Sequence, residues 1–204
     1  MGDSQAAQLY PGIQSAIGSK SEVTQFTSSF CPPFIGYASK GEPHCKEIND
    51  YVLEWMAKNK PDRVILGEMW SEHHWNQNGP KLLGDTVRQM RLLGVRRMDL
   101  VGTAPVWKRT LPTELFYYTR QNKAQSAIPE RMSYGLDSSI PDLDVSMQKF
   151  AKDVGINYIS LFAILRDSEG CLTMVGNTPD EITAGDRVHL TTTASRYVVS
   201  HFTQ

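Results

Sequence analysis

Between residues 45 and 60, apolar side chains recur at helical spacing. Ile48, Tyr51, Val52, Trp55 and Met56 stand at i, i+3, i+4, i+7 and i+8. Pro61 follows and cannot continue the run. "DRVILGEMW" then reads as a buried strand from Arg63 to about Gly67, with polar residues at its C-terminal end. A second helix is predicted from about Lys81 to Leu93, with Leu83, Val87 and Met90 on one face and Gly94 suited to its C-cap. "RRMDLVGTAPV" reads as the next strand, ended by Pro105. A third helix spans about Asp142 to Val154, turning Leu143, Met147, Phe150, Ala151 and Val154 inward, and Gly155 ends it. "NYISLFAIL" reads as a strand, and the helix after "HLTTT" has Ala194, Tyr197 and Val198 as its inner face. At the front, a helix is expected from about Gln5 to Ile17, followed by a strand in "VTQFTSS". Residues 108–141 are polar and irregular with several prolines, and read as a long excursion from the sheet.

Strands alternating with helices predict an α/β domain, a parallel sheet with helices on both faces. The 204 residues suffice for one domain with a substantial core, 1–204, and no linker, repeat or low-complexity tract divides it. Hydrophobic residues make up 40% and charged residues 21%, and the net charge of −1 gives no basis for a general nucleic-acid or anionic-membrane binder. No apolar run has the length of a membrane span and no signal peptide is visible, so the chain reads as a soluble domain, or as one piece of a larger protein.

Cys31 and Cys45 bracket "CPPFIGYASKGEPHC", a Pro/Gly-rich loop with little else to hold it. A disulfide here would close a loop of about 15 residues, worth roughly 3 kcal/mol in the chain-entropy picture. It would also imply an oxidising compartment. The alternative is two unpaired thiols in a reducing one. The reading favours the disulfide and leaves Cys171 over.

Two short stretches carry chemistry. Gly2-Asp3-Ser4 stands at the front of the predicted first helix. Gly permits a tight turn, and a helix start offers unpaired N–H groups and a positive dipole end. A serine attacking an ester benefits from that setting, because negative charge develops on the carbonyl oxygen. The plainer reading makes Asp3 or Ser4 an N-cap. Near the other end, "AGDRVHLTTTASRYV" places Asp186 and His189 three apart just before a helix. A nucleophilic serine needs a base within hydrogen-bond reach and a carboxylate to orient that base. Either stretch alone is a weak signal; the pair is far more specific.

With both in place, the sequence resembles the SGNH/GDSL hydrolase superfamily over essentially its whole length. "GDSQAAQLYPGI", "CPPFIGY…C", "RVILGEMW", "DLVGTAPVW" and "GDRVHLTTTA" look like the extracytoplasmic SGNH domain fused to acyltransferase-3-type membrane proteins, which O-acetylate sugars of lipopolysaccharide and other surface glycans. The resemblance implies a three-layer α/β/α, flavodoxin-like fold. It also implies Ser4 as nucleophile, His189 as general base and Asp186 as its orienting partner. The expected activity is serine-dependent transfer of acetyl groups to a cell-envelope glycan, with an SGNH esterase or an inert glycan-binding domain as alternatives. No cofactor is expected to be bound directly; a membrane acyltransferase domain upstream would supply the acetyl donor, at the periplasmic face of a bacterial inner membrane.

Gln5 stands where the subfamily usually has His, and Met69 where the superfamily has its oxyanion Asn, so the oxyanion hole would rest on the Ser4 N–H and other donors. The strand that normally precedes Gly2 is not in the sequence, so the chain reads as N-terminally truncated. Three tryptophans, Trp70, Trp75 and Trp107, follow strand ends and are expected either to stack on a sugar ring or to cover the core edge. His73 and His74 are adjacent and lack a nearby third ligand, so no metal site is expected. Lys108 and Arg109 are read as solvated surface.

Overall fold

The computed structural model describes residues 1–19, 21–122 and 127–202, and at 72–74 and 179 the backbone alone. Its helices are α1 (Ser4–Ala7), α2 (Tyr10–Ile17), α3 (Cys45–Asn59), α4 (Glu72–Gln77), α5 (Gly79–Leu92), α6 (Leu111–Gln121), α7 (Ile140–Val154), α8 (Leu161–Leu165) and α9 (Thr192–Ser200). Its strands are β1 (Arg63–Gly67), β2 (Arg97–Val101), β3 (Arg131–Met132), β4 (Asn157–Ile159), β5 (Arg166–Asp167) and β6 (Gly170–Leu172). The fold is of the α/β class.

The chain forms two compact units. The first comprises Met1–Ala7, Thr24–Thr103 and Pro141–Ser160; the second comprises Gln8–Val23, Ala104–Ile140 and Leu161–Gln204. Each is assembled from three separate segments, so no linker marks the division in the sequence.

In the first unit, β1, β2 and β4 pair side by side as a parallel sheet. The register sets Arg63 against Arg97 and Gly67 against Val101. Leu66 and Leu100 are fully buried, and Val52 and Met56 of α3, Leu83, Val87 and Met90 of α5, and Leu143, Met147 and Ala151 of α7 pack in the same core. These belong to the apolar faces that the spacing predicts, although Tyr51 of the predicted α3 stripe is 57% exposed. Asp99 helps lock the register. It is wholly buried, it pairs with Arg63 and Arg97, and it accepts a hydrogen bond from Asn157 Nδ2 at 2.9 Å. One carboxylate thus ties all three strands, with its charge matched by two guanidinium groups. Next to β1, Gly2 makes parallel bridges to both Gly67 and Thr27. The predicted "VTQFTSS" strand is therefore reduced to a single bridge at Thr27.

The Cys31–Cys45 disulfide is formed in this unit, with a Cα–Cα separation of 5.2 Å. It joins the Pro/Gly-rich loop to the first residue of α3. Asn49, one turn on, donates from Nδ2 to the carbonyls of Pro32 at 2.9 Å and Phe34 at 3.1 Å, so the loop is also tied by hydrogen bonds.

In the second unit, β3, β6 and β5 form a small antiparallel sheet. Helices α2 and α9 pack tightly. A Cβ at Gly12 would lie 2.3 Å from the Ser195 carbonyl oxygen, and the Gly12 N–H donates to Ser195 Oγ at 3.1 Å. Cys171 lies buried in β6 as a free thiol, and burial pushes its pKa up to about 12.

Three local expectations are corrected. The front helix is broken into α1 and α2, with Pro11 in the first turn of the second piece, where its missing N–H costs nothing. "NYISLFAIL" is a strand only to Ile159; Leu161–Leu165 is helix, with Leu161, Phe162 and Leu165 buried. The excursion at 108–141 contains α6, capped by Thr110, whose side chain accepts from the Thr113 N–H.

Candidate active site

Gly2-Asp3-Ser4 forms a braced turn in the first unit. Gly2 has φ 142°, and a Cβ there would lie 1.7 Å from the Gly67 carbonyl oxygen, so no other residue fits. The Asp3 N–H donates to that same carbonyl at 3.4 Å. The Asp3 side chain, only 7% exposed, accepts on Oδ1 from the Gln5 N–H at 2.8 Å and on Oδ2 from the Met69 N–H at 3.0 Å. The capping role open to Asp3 in the sequence is thus filled, and the same carboxylate also reaches the loop after β1. Ser4 is half-buried and opens α1, which is a single turn of four residues. The long helix whose dipole was expected behind Ser4 is not continuous with that turn.

Glu68 sits beside the turn with 4% exposure, and its Oε1 has no hydrogen-bond partner among the described residues. Burial, reinforced by the neighbouring Asp3 charge, raises its carboxyl well above the usual range. Sequence reasoning missed it. The signal was available: a glutamate at the end of a buried apolar strand.

Asp186 and His189 belong to the second unit. Asp186 Oδ2 lies 2.6 Å from His189 Nδ1. Its Oδ1 accepts from the N–H groups of Val188 at 2.8 Å and His189 at 2.7 Å. Burial pushes the Asp186 carboxyl up, but those two N–H bonds and the imidazole outweigh it and hold the pKa below the ordinary value. The pair is partly open to solvent, with side-chain exposures of 48% for Asp186 and 41% for His189.

The loop that carries them is anchored by main-chain bonds and by the side chains of Arg187 and Gln8. The Trp107 N–H donates to the Arg187 carbonyl at 2.9 Å, Arg187 Nε donates to the Trp107 carbonyl at 3.0 Å, and the Leu111 N–H donates to the Asp186 carbonyl at 3.0 Å. On its other side, the Leu190 N–H donates to Gln8 Oε1 at 2.6 Å. The partner segment 107–111 is itself held by Glu114, which is fully buried. Glu114 Oε1 accepts from the Arg109 N–H at 2.8 Å, and its carboxylate pairs with the Arg109 guanidinium. Arg109 is therefore an ion-pair partner and not merely solvated surface.

The tryptophans are core residues. Trp70, Trp75 and Trp107 are 1%, 3% and 1% exposed, which leaves no face for a sugar ring. Trp70 Nε1 donates to the Val101 carbonyl and Trp75 Nε1 to Ser146 Oγ, each at 2.8 Å, so the indole N–H groups are satisfied inside. Trp70 and Trp75 meet edge to face, and Trp75 meets Phe150 in the same way. Their position after strand ends fits both roles in sequence, and burial decides for the core. The side chains of His73 and His74 lie outside the described residues. Among the described residues no cluster of His, Cys, Asp or Glu is arranged to hold a metal, and no helix is long and apolar enough to cross a membrane.

Residues 1–204 match the family model described as the SGNH domain fused to AT3 domains. No curated protein matches the chain. Among solved structures, the periplasmic domain of the lipopolysaccharide acetyltransferase of Salmonella ser. Paratyphi A is similar, with a TM-score of 0.88 and 28% identity over 98% of this chain and 78% of that one. A protein assigned as an acylhydrolase from Bacteroides fragilis (TM-score 0.56, 12% identity, 98% and 81% covered) and the aryl esterase of M. smegmatis (0.51, 13%, 92% and 78%) share the fold. The chain belongs to the SGNH-domain family fused to AT3 domains and has the SGNH-hydrolase fold.

Proposed function

We propose that the protein is a serine-dependent O-acyltransferase domain that moves acetyl groups to hydroxyls of a cell-envelope glycan such as lipopolysaccharide O-antigen. The observation that carries this reading is the Asp186–His189 pair. With Nδ1 directed at the carboxylate, the ring is oriented to exchange protons through Nε2. The family match and the likeness to a lipopolysaccharide acetyltransferase domain support transfer as the reaction and a glycan as the acceptor.

In the proposed cycle, Ser4 Oγ attacks the acyl carbonyl while His189 Nε2 takes its proton. The tetrahedral oxyanion collapses, the donor's leaving group departs with the proton from His189, and acetyl-Ser4 remains. A sugar hydroxyl then attacks, His189 takes its proton, and that proton returns to Ser4 Oγ as the acetylated sugar leaves. Asp186 holds the imidazole orientation and stabilises the imidazolium at each stage. The Ser4 N–H is the proposed first oxyanion donor. The Met69 N–H is already engaged by Asp3, so it does not take the place of the side-chain amide that Met69 lacks. The donor would come from a membrane acyltransferase domain of the same protein, on the periplasmic side of an inner membrane. The disulfide is consistent with that oxidising location.

The test measures acetyl transfer to a glycan and release into water on the same preparations. Ser4→Ala and His189→Ala should each lose about 10³-fold or more, and the double variant little more, because the residues act as a unit. Full activity in Ser4→Ala would overturn the assignment. Release that exceeds transfer at saturating glycan would make the protein an esterase.

A further inference from the structure

Glu68 lies between two contacts that hold the nucleophile turn. On its N-terminal side, the Gly67 carbonyl accepts the Asp3 N–H. On its C-terminal side, the Met69 N–H donates to Asp3 Oδ2. The Trp70 N–H closes back on the Glu68 carbonyl at 2.9 Å, which tightens this stretch of backbone. A displacement of residue 68 is therefore passed to Asp3 through both neighbours. The Glu68 side chain is buried, one of its oxygens has no hydrogen-bond partner among the described residues, and the charged group that acts on it is Asp3, a second carboxylate.

We propose that Glu68 is a positioning residue for Ser4, acting through Asp3, and that the ionisation state of its buried carboxyl sets how firmly the Gly2-Asp3-Ser4 turn is held. As a neutral acid, Glu68 fits this site without a counter-charge. As a carboxylate, it is an unpaired buried charge facing a like charge. Asp3 cannot yield by protonating without weakening the bonds it accepts from Gln5 and Met69. The repulsion then falls on the turn, and Ser4 moves out of line. The site thereby carries a built-in loss of nucleophile order as pH rises.

This inference rests on Ser4 being the nucleophile. The experiment follows the rate of covalent labelling by a serine-reactive phosphonate across pH, with peptide mapping of the labelled residue, in the wild type, Glu68→Gln and Ser4→Ala. Mapping to Ser4 that is lost in Ser4→Ala establishes the nucleophile independently of Glu68. With that established, the wild-type rate should pass a maximum and fall at least threefold on the alkaline side, whereas the Glu68→Gln rate should rise to a plateau. In parallel, the stability advantage of Glu68→Gln over the wild type should grow as pH rises, because ionisation penalises only the glutamate. Superimposable pH profiles for the wild type and Glu68→Gln, with Ser4 labelled in both, would overturn the role of Glu68. Absence of Ser4 labelling in every protein would instead overturn the nucleophile.

Discussion

Glu68, beside the Gly2-Asp3-Ser4 turn, and Asp186, in the Asp186–His189 loop, are carboxyl groups whose surroundings move them in opposite directions. Glu68 is enclosed beside a like charge, and its pKa is raised. Asp186 is half-exposed, accepts two main-chain N–H groups and faces an imidazole, and its pKa is lowered despite partial burial. The contrast extends to the stretches themselves. The Gly2-Asp3-Ser4 turn is built into the first unit's packing, with Gly2 and Asp3 buried. The Asp186–His189 loop is held through its backbone and leaves its side chains at the surface. Substitutions at the buried Gly2 and Asp3 should therefore register in stability, and those at Asp186 and His189 in activity.

The largest effect expected is Asp186→Asn. The amide still accepts from Val188 and His189, so the loop should keep its shape, but the imidazole loses its charged partner and its tautomer control. Activity should fall about 10³- to 10⁴-fold. Unfolding free energy should change by less than about 1 kcal/mol, because an exposed pair contributes little. Denaturant unfolding beside transfer kinetics checks both. A large loss of stability would erase the distinction between loop and turn.

Gly2→Ala should invert that signature. Its Cβ would meet the Gly67 carbonyl oxygen at 1.7 Å, and backbone on both sides would have to move. A loss of about 3 kcal/mol or more in unfolding free energy is expected, typical of strain at a special backbone position. Urea titration reads it directly. An alanine variant as stable as the wild type would show that the turn is less constrained than the loop.

Much of this was legible in the sequence. Periodicity located α3, α5, α7 and α9, because each has one apolar face, and the first three also have a clear stop at Pro or Gly. It failed at 161–165, where an apolar run long enough for a strand continuation is a short buried helix; run length and composition do not separate the two. It failed again at 111–121, where "LPTELFYYTRQ" combines a proline with exposed aromatics and lacks a strong apolar stripe. The Asp186–His189 contact was legible because it is local, three residues apart before a capped helix. The tryptophans were not, because a strand end says nothing of what covers it. Glu68 escaped, although it stands at the end of a buried apolar strand, because the charge that acts on it, Asp3, is distant in sequence. Glu114 escaped because its solvent exclusion is not visible in the sequence, although its partner Arg109 is five residues away.

The smallest effect is the acid limb of stability at Asp186, and its sign sharpens the comparison. A carboxyl whose pKa is lower in the folded than in the unfolded chain contributes stability above its unfolded pKa. That contribution disappears as pH falls through the folded pKa. Asp186 is such a group, so its contribution should be present at neutral pH and vanish in strong acid. Nearly half of the side chain is open to solvent, which limits the size to about 0.5 kcal/mol. Glu68 has the opposite sign: its raised pKa costs stability as pH rises above the ordinary glutamate range. Denaturant unfolding of the wild type and Asp186→Asn at neutral pH and again near pH 3 isolates the first term, since the amide does not titrate. The wild type should be slightly the more stable at neutral pH, and the two should converge in acid. A gap that widens in acid would mean that the pKa of Asp186 is raised like that of Glu68, and that the two carboxyl groups are tuned in the same direction after all.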